Sequence, residues 1–267
     1  CIATYRLNGD ATDLSGNYNG TESNIDYQKG SHFTYNIYEN KARTFSHKAS
    51  DLSLNTGTIV PDAINANRDN GFSIVNYTAT GTTATVAHGL SSPPELIISK
   101  TTSAAYDWLV YAKPTGATHQ MRIHASTGAT TSGFMNNTEP TSSVYTVASG
   151  NNLNYANGDK NIAYCWHSVP GFSKIGSYTG NNGSAKSIDV GFEPAWVMIK
   201  NTASGYNWIV IDNKRGTGLI LYMSLTTQDT STSSHITSFN SNGFTVGSNA
   251  DVNYSTNTYL YLAFAHR

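Results

Sequence analysis

The chain has 267 residues and a formal net charge of −1, and only 12% of its residues are charged. This low, balanced charge excludes a general electrostatic attraction to nucleic acid or to an anionic membrane surface, and no apolar run reaches the ~20 residues that cross a bilayer. Abundant Gly, Ser, Thr and Asn, together with 17 Tyr, are typical of many short strands joined by tight turns and not of a coiled coil.

The first seventy residues differ in composition from the rest. Residues 4–7 and 34–38 read as short strands, residues 16–20 are rich in Gly and Asn, and residues 50–70 read as an extended connector. We predict that residues 1–70 are a strand and connector segment, either the remnant of a jelly roll or part of an upstream domain.

Residues 71–169 and 171–267 are predicted to be two copies of one domain, with Pro170 at the joint. Gly71-Phe72-Ser73 recurs as Gly171-Phe172-Ser173, and several other identities keep the same offset of 100: Pro94 and Pro194, Lys100 and Lys200, Tyr106 and Tyr206, Trp108 and Trp208, Val110 and Val210. The ends of the copies match at offsets of 98 and 99, as surface-loop insertions would produce.

The sequence of each copy predicts a series of short strands. Residues 95–100 and 108–111, and their counterparts at 196–200 and 208–211, are short continuous apolar runs separated by turn-forming residues. Residues 237–246 read as a hairpin that turns at Asn242-Gly243. We therefore predict an all-β fold of two tandem, duplicated β-sandwich domains, preceded by a short, partly extended β segment.

Two segments resemble repeats of phage tail-fibre proteins, particularly those of marine phages and cyanophages. One runs from Gly71-Phe72-Ser73-Ile74-Val75-Asn76-Tyr77-Thr78 to Pro94-Glu95-Leu96-Ile97-Ile98, and the other from Gly171-Phe172-Ser173 to Gly191-Phe192-Glu193-Pro194-Ala195-Trp196-Val197-Met198-Ile199-Lys200. The resemblance covers residues 70–267. It implies a virion-associated, repeated β-domain that assembles as a homotrimer, and it brings no catalytic residues with it.

The opening of the chain, from Ala3 to Thr21, resembles the first strand and turn of a laminin-G/concanavalin-like jelly roll. That family needs well over a hundred residues, so the jelly roll is truncated or absent here. Asp10 and Asp13 beside Asn8 could supply oxygen ligands to Ca²⁺. We favour a polar turn in which these side chains bond to local backbone.

Large aromatic residues can serve either as core or as a surface that stacks on sugar rings. We assign Phe72, Trp108, Trp166, Phe172, Trp196, Trp208 and Phe264 to the core, because a duplication preserves core more readily than a binding site. The candidate ligand contacts are polar aromatic and amide residues expected in loops: Tyr106, Asp107, Tyr145, Tyr206 and Asn207.

No pattern in the chain predicts an enzyme, a cofactor or a metal site. The 17 acidic residues show no pairing of the kind that glycosidases need, and no nucleophile elbow, P-loop or dinucleotide fingerprint occurs. The eight histidines are scattered without metal-ligand spacing, and Cys165, inside an apolar run, is read as a small buried residue.

These observations predict a structural, non-enzymatic virion protein: a tail-fibre component outside the host cell that contacts the host surface or its glycans. Its expected partners are further copies of itself, other virion proteins and a host glycan, with no nucleic acid and no membrane insertion. Two alternatives stay open, a capsid or tail decoration protein and a secreted lectin-like carbohydrate-binding protein.

Overall fold

The computed structural model describes residues 46–47 and 56–266, except residues 182 and 204. The predicted all-β fold is confirmed, because the described chain is almost entirely strand and turn, with one four-residue helix, α1 (Ala250–Asn253). Thr44–Arg267 form one compact unit. The strands expected at residues 4–7 and 34–38, and the turn containing Asp10 and Asp13, lie outside the described residues.

The first copy, together with two strands from the residues before it (β1 and β2), forms an antiparallel sheet of eight strands with the order β1-β2-β3-β10-β5-β6-β7-β8, and β4 pairs with β9 in a small second sheet. The bounds are β1 (Ser46–His47), β2 (Ala63–Asn67), β3 (Phe72–Thr78), β4 (Ala84–Ala87), β5 (Leu96–Thr101), β6 (Leu109–Ala112), β7 (His119–Arg122), β8 (Thr130–Thr131), β9 (Val144–Val147) and β10 (Lys160–Trp166). Part of the expected connector is therefore a strand, because β2 pairs along its whole length with β3.

The large sheet of the second copy repeats the order of the six strands β3-β10-β5-β6-β7-β8, with no described counterpart of β1 or β2. This sheet runs β11-β19-β13-β14-β15-β16, and β12-β18-β17 form the small sheet of the second copy. The bounds are β11 (Ser173–Thr179), β12 (Lys186–Asp189), β13 (Pro194–Asn201), β14 (Trp208–Asp212), β15 (Leu219–Tyr222), β16 (Thr230–Ser231), β17 (Ile236–Asn240), β18 (Gly243–Val246) and β19 (Thr258–Ala265). In both copies the last long strand pairs between the first and the third.

The central strands are continuously apolar because both faces of each large sheet are buried. On one face, each large sheet packs against its own small sheet, with Tyr111 and Tyr145 in the first copy and Ile209 and Phe244 in the second. On the other face, the two large sheets pack against each other through a shared cluster: Leu96, Ile98, Val110, Ala112, Met121, Ile175, Met198, Trp208, Val210, Leu260 and Leu262. The copies are thus layered as small sheet, large sheet, large sheet, small sheet.

The hairpin predicted near Asn242-Gly243 is present as β17 and β18, but its turn lies one residue earlier. Asn240 pairs with Gly243, so Ser241 and Asn242 form the two-residue turn. Gly243 is already in the strand, where a Cβ atom would overlap the backbone carbonyl oxygen of Ile188 in the neighbouring strand β12. The glycine in this motif therefore serves a close backbone approach and not the turn itself.

His88, which follows β4, is fully buried. Its Nδ1 accepts a hydrogen bond from the Leu90 backbone N–H at 3.1 Å, and its Nε2 is 3.1 Å from the Thr141 carbonyl oxygen, to which it donates in the neutral tautomer. Burial is the main cause that lowers the pKa of this imidazole to about 4, and the nearby His167 and Arg68 lower it further. The folded state therefore holds His88 neutral.

The free energy of unfolding is expected to fall as the pH drops from about 6.5 to about 4. In this window the unfolded chain binds a proton at His88 and the folded chain does not, so the contribution present above pH 6.5 is lost, up to about 3 kcal/mol. Urea denaturation at several pH values, carried out on the unchanged chain and on His88→Gln, isolates the contribution of His88 to the free energy of unfolding. Parallel pH profiles for the two proteins would contradict the assignment.

Candidate ligand-binding cleft

A cleft of about 380 Å³ lies at the edge of the contact between the two large sheets, and residues of both copies line it. Its volume lies within the range of small-molecule sites, ~300–1,000 Å³. Eight half-buried residues line it: Asn65, Asn67, Asn70, Phe72, Ile74, Trp166, Phe172 and Phe264.

Strand register builds the floor of the cleft from the first copy. Across β2, β3 and β10, Asn67 lies opposite Phe72 and Phe72 opposite Trp166, while Asn65 lies opposite Ile74 in the next row. Residues directly opposite each other in an antiparallel sheet point to the same face. Phe72 and Trp166 stack with ring centroids 4.9 Å apart. The floor of the cleft therefore presents amide side chains on β2 and aromatic side chains on β3 and β10.

The facing wall comes from the second copy. Phe172 and Phe264 meet with ring centroids 5.8 Å apart, and Phe264 also contacts Trp196 at 5.7 Å. Phe172 is the counterpart of Phe72 in the repeated Gly-Phe-Ser motif, and Phe264 is the counterpart of Trp166. The same aromatic pair from each copy thus borders the cleft.

The amides at its edge are incompletely hydrogen-bonded. Asn67 Oδ1 accepts the Asn70 backbone N–H at 3.0 Å, but the buried Oδ1 atoms of Asn65 and Asn70 have no donor among the described residues. A buried oxygen without a donor costs about 1–3 kcal/mol.

None of the eight described residues that line the cleft has a charged side chain. Aromatic rings offer the cleft an apolar surface, and the asparagines offer polar atoms that can both donate and accept hydrogen bonds. The ligand that fits this chemistry is neutral, rich in hydroxyl groups and apolar on one face. A sugar ring has these properties.

The residues predicted to contact a ligand lie elsewhere. Tyr145 is corrected: it belongs to β9 and is only 1% exposed, because strand alternation points it inward against Tyr77. Tyr106 and Asp107 are half-buried before β6, where Asp107 accepts from Arg122 Nε at 2.6 Å. Tyr206 and Asn207 occupy the same place before β14, and Asn207 Oδ1 accepts from Ser224 Oγ at 2.8 Å. None of these five residues lines the cleft.

Of the aromatic residues assigned to the core, Trp208 is 1% exposed and the other six are half-buried. Trp108, Trp166, Trp196 and Phe264 pack at the margin of the shared cluster. Phe72 and Phe172 do not fit the core assignment, because the two large sheets do not cover each other completely and these rings stand at the uncovered margin. Cys165 is buried, and burial raises the pKa of its thiol to about 12.

Sequence reasoning missed Asn65, Asn67 and Asn70, because residues 50–70 read as a connector. The available signal was the Asn-x-Asn spacing at residues 65–67, four residues before Gly71, which places both amides on one face of a strand.

One network has the connectivity of a catalytic triad. Thr232 Oγ1 is 2.8 Å from His235 Nδ1, and His235 Nε2 is 3.5 Å from Asp251 Oδ2. His235 is only 3% exposed, and Thr232 also accepts the Ser234 backbone N–H. With its imidazole buried, the network joins the residues just before β17 to α1.

Within the described part of the chain, no three His, Cys, Asp or Glu side chains gather in a way that could hold a metal ion. The same part contains no helix with the length and apolar character needed to span a bilayer.

No curated protein and no solved structure matches the chain. One family model does match, over residues 13–267, and its description is a domain of unknown function, DUF7483. Because this match spans nearly the whole sequence, the chain belongs to the DUF7483 family.

Proposed function

We propose that this chain is a non-catalytic adhesion module of a phage tail fibre, and that it binds a neutral glycan of the host surface in the cleft. The observation that carries the proposal is the meeting of aromatic walls with asparagine amides in a cleft whose described lining residues carry no charge, where two buried asparagine oxygens have no donor among the described residues. The low charge of the whole chain favours the same kind of neutral ligand.

The non-catalytic part rests on the chemistry of the lining. Glycoside hydrolysis generally needs two carboxyl groups about 5–10 Å apart across the scissile bond. The cleft offers amide, aromatic and aliphatic side chains instead, which bind a sugar but cannot protonate a leaving group or activate water.

The virion part rests on the resemblance of residues 70–267 to tail-fibre repeats. It includes assembly as a homotrimer and attachment to other virion proteins. Immunogold electron microscopy of virions tests it directly: label along the tail fibres supports the proposal, whereas label on the capsid favours a decoration protein and absence of label favours a secreted lectin.

Glycan binding is tested by a glycan array with the full chain, followed by calorimetric titration of the bound glycans. Phe72→Leu keeps the residue apolar but removes a ring from the cleft, so we expect about a tenfold loss of affinity. Asn70→Ala should also weaken binding, because it removes a hydrogen-bonding group.

The matched control is Phe239→Leu, which makes the same change at a half-buried ring of β17 that packs on the second copy's own cluster. This variant should bind as the unchanged chain does. Equal affinity in all four proteins would show that the glycan binds elsewhere. Release of reducing ends from a polysaccharide by the purified chain would refute the non-catalytic assignment.

A further inference from the structure

The two copies use one hairpin segment differently, although equivalent backbone hydrogen bonds hold it in both. Ala125 N–H donates to the Arg122 carbonyl at 3.3 Å, and Leu225 N–H donates to the Tyr222 carbonyl at 3.5 Å. Farther along, the bond from Ser132 N–H to the Thr118 carbonyl is matched by the bond from Thr232 N–H to the Gly218 carbonyl. Residues 121–129 and 221–229 are therefore equivalent, and we call each of them the docking segment of its copy.

In the first copy the docking segment is seated on the second copy. Met121 is 1% exposed, and Ile123 and Ala129 pack against the shared cluster. Among the described residues, hydrogen bonds that join the segment to the second copy run from Trp208 Nε1 to the Arg122 carbonyl at 2.9 Å, from Lys200 Nζ and Gly205 N–H to the Ser126 carbonyl at 3.0 and 3.1 Å, and from Ala129 N–H to the Thr202 carbonyl at 2.8 Å. We call Lys200, Thr202, Gly205 and Trp208 the docking surface.

In the second copy the docking segment is uncovered by any described residue. Leu221, Met223 and Leu225 are 38%, 47% and 45% exposed, and they follow one another at every second position. Clustered exposed apolar side chains of this kind mark interaction sites. Of their counterparts in the first copy, Met121 belongs to the cluster shared with the second copy and Ile123 packs against that cluster.

The first copy has its own version of the docking surface: Lys100, Thr102, Ala105 and Trp108. Lys100 Nζ donates to the Tyr106 carbonyl as Lys200 Nζ does to the Tyr206 carbonyl. Thr102 Oγ1 donates to the Lys160 carbonyl, as Thr202 Oγ1 does to the Thr258 carbonyl. Lys200 is fully buried, whereas Lys100 and Trp108 are half-buried and Thr102 and Ala105 are exposed. This surface has the same residue types in the same places, apart from Ala105 where the second copy has Gly205, and no segment among the described residues is seated on it as residues 121–129 are on the docking surface of the second copy.

We propose that the docking segment of the second copy binds the docking surface of the first copy of another chain, so that chains associate head to tail. The contact would repeat between molecules the contact that joins the two copies within one molecule. Such an interface is heterologous, because each chain contributes a different surface to each contact. It yields a closed ring, including a trimer, if the rotation closes, and an open row of chains if it does not.

Two substitutions set the expected strength of the contact between chains. Gly128, whose missing Cβ lets the backbone approach the Thr202 carbonyl oxygen closely, is replaced by Gln228 in the second copy. The intermolecular segment therefore cannot seat as closely at its tip. Leu225, which stands where the first copy has Ala125, has the opposite effect, because its larger side chain adds apolar area to the docking segment. We expect a weaker, concentration-dependent contact.

Sedimentation velocity of the full chain over a concentration series tests the proposal. Met223→Asp places a charge on the docking segment and Ala105→Asp places one on the docking surface, and each variant alone should remain monomeric. Mixed one to one, they should form dimers and nothing larger, because one intact interface remains between them. This recovery also shows that both variants are folded.

Gln228→Gly restores the close approach found in the first copy and should tighten the association about tenfold. Its control is Thr237→Gly, an exposed position of β17 away from both surfaces, which should associate as the unchanged chain does. The proposal is overturned if the unchanged chain and Gln228→Gly both stay monomeric throughout the series. It is equally overturned if Ala105→Asp associates normally, since the apolar patch would then be pairing with itself.

Discussion

Replacing Trp208 with alanine is expected to lower the free energy of unfolding by about 3–5 kcal/mol. The indole is 1% exposed within the cluster shared by the two large sheets, and its Nε1 donates to the Arg122 carbonyl at 2.9 Å. The substitution removes a large apolar group from the contact between the copies, and it removes the indole N–H from the Arg122 carbonyl, which keeps only the longer hydrogen bond from Ala125 N–H. Urea denaturation followed by tryptophan fluorescence and by far-ultraviolet circular dichroism measures the loss.

The chain contains its own control, because Trp108 occupies the equivalent position in the first copy. Trp108 is half-buried and stacks at 6.4 Å on Tyr164. Trp108→Ala should therefore cost clearly less than Trp208→Ala, since less apolar area leaves the interior. Equal losses for the two variants would mean that the second copy's tryptophan is not held by the first copy.

Gly243→Ala is expected to cost several kcal/mol, among the larger effects of single substitutions. The added Cβ would overlap the Ile188 carbonyl oxygen, and that oxygen belongs to the backbone of the adjacent strand β12. It cannot move aside as the end of a flexible side chain would, so β12 and β18 must separate. Thermal unfolding monitored by circular dichroism should show a clearly lower transition temperature.

Gly133→Ala is the matched control, because an added Cβ meets nothing within 4 Å there. Its effect should lie within about 0.5 kcal/mol of the unchanged chain, as for most surface substitutions. If Gly243→Ala is as stable as Gly133→Ala, the close approach of β12 and β18 is wrong.

The fold was largely predictable because its signals are local or repeated. Continuous apolar runs such as residues 96–98 and 208–211 indicate strands with both faces buried, and the ordered identities at offset 100 indicate that strand order is repeated. The position of a turn is less well determined by the sequence. Asn242-Gly243 indicates a hairpin, but Gly243 lies in the strand because the backbone of β12 passes too close to it for a side chain, and the turn therefore lies one residue earlier.

The cleft was not predictable, because it arises from how two sheets overlap. Nothing in the sequence around Phe72 or Phe172 says that the second copy leaves this margin uncovered. Tyr145 was misassigned for a related reason: a polar aromatic residue suits a loop surface, but its place in β9 turns it toward the interior. Asn65 and Asn67 become recognisable only when β2 is seen to pair with β3.

Fluorine NMR of protein labelled with 5-fluorotryptophan most directly tests the claim that the cleft binds a glycan. The chain has four tryptophans, so each gives one resonance, assigned by single Trp→Phe variants. Titration with the neutral glycan that binds best on the array should move the Trp166 resonance and leave that of the buried Trp208 unchanged. A Trp166 resonance that stays fixed while the glycan is bound would contradict the claim.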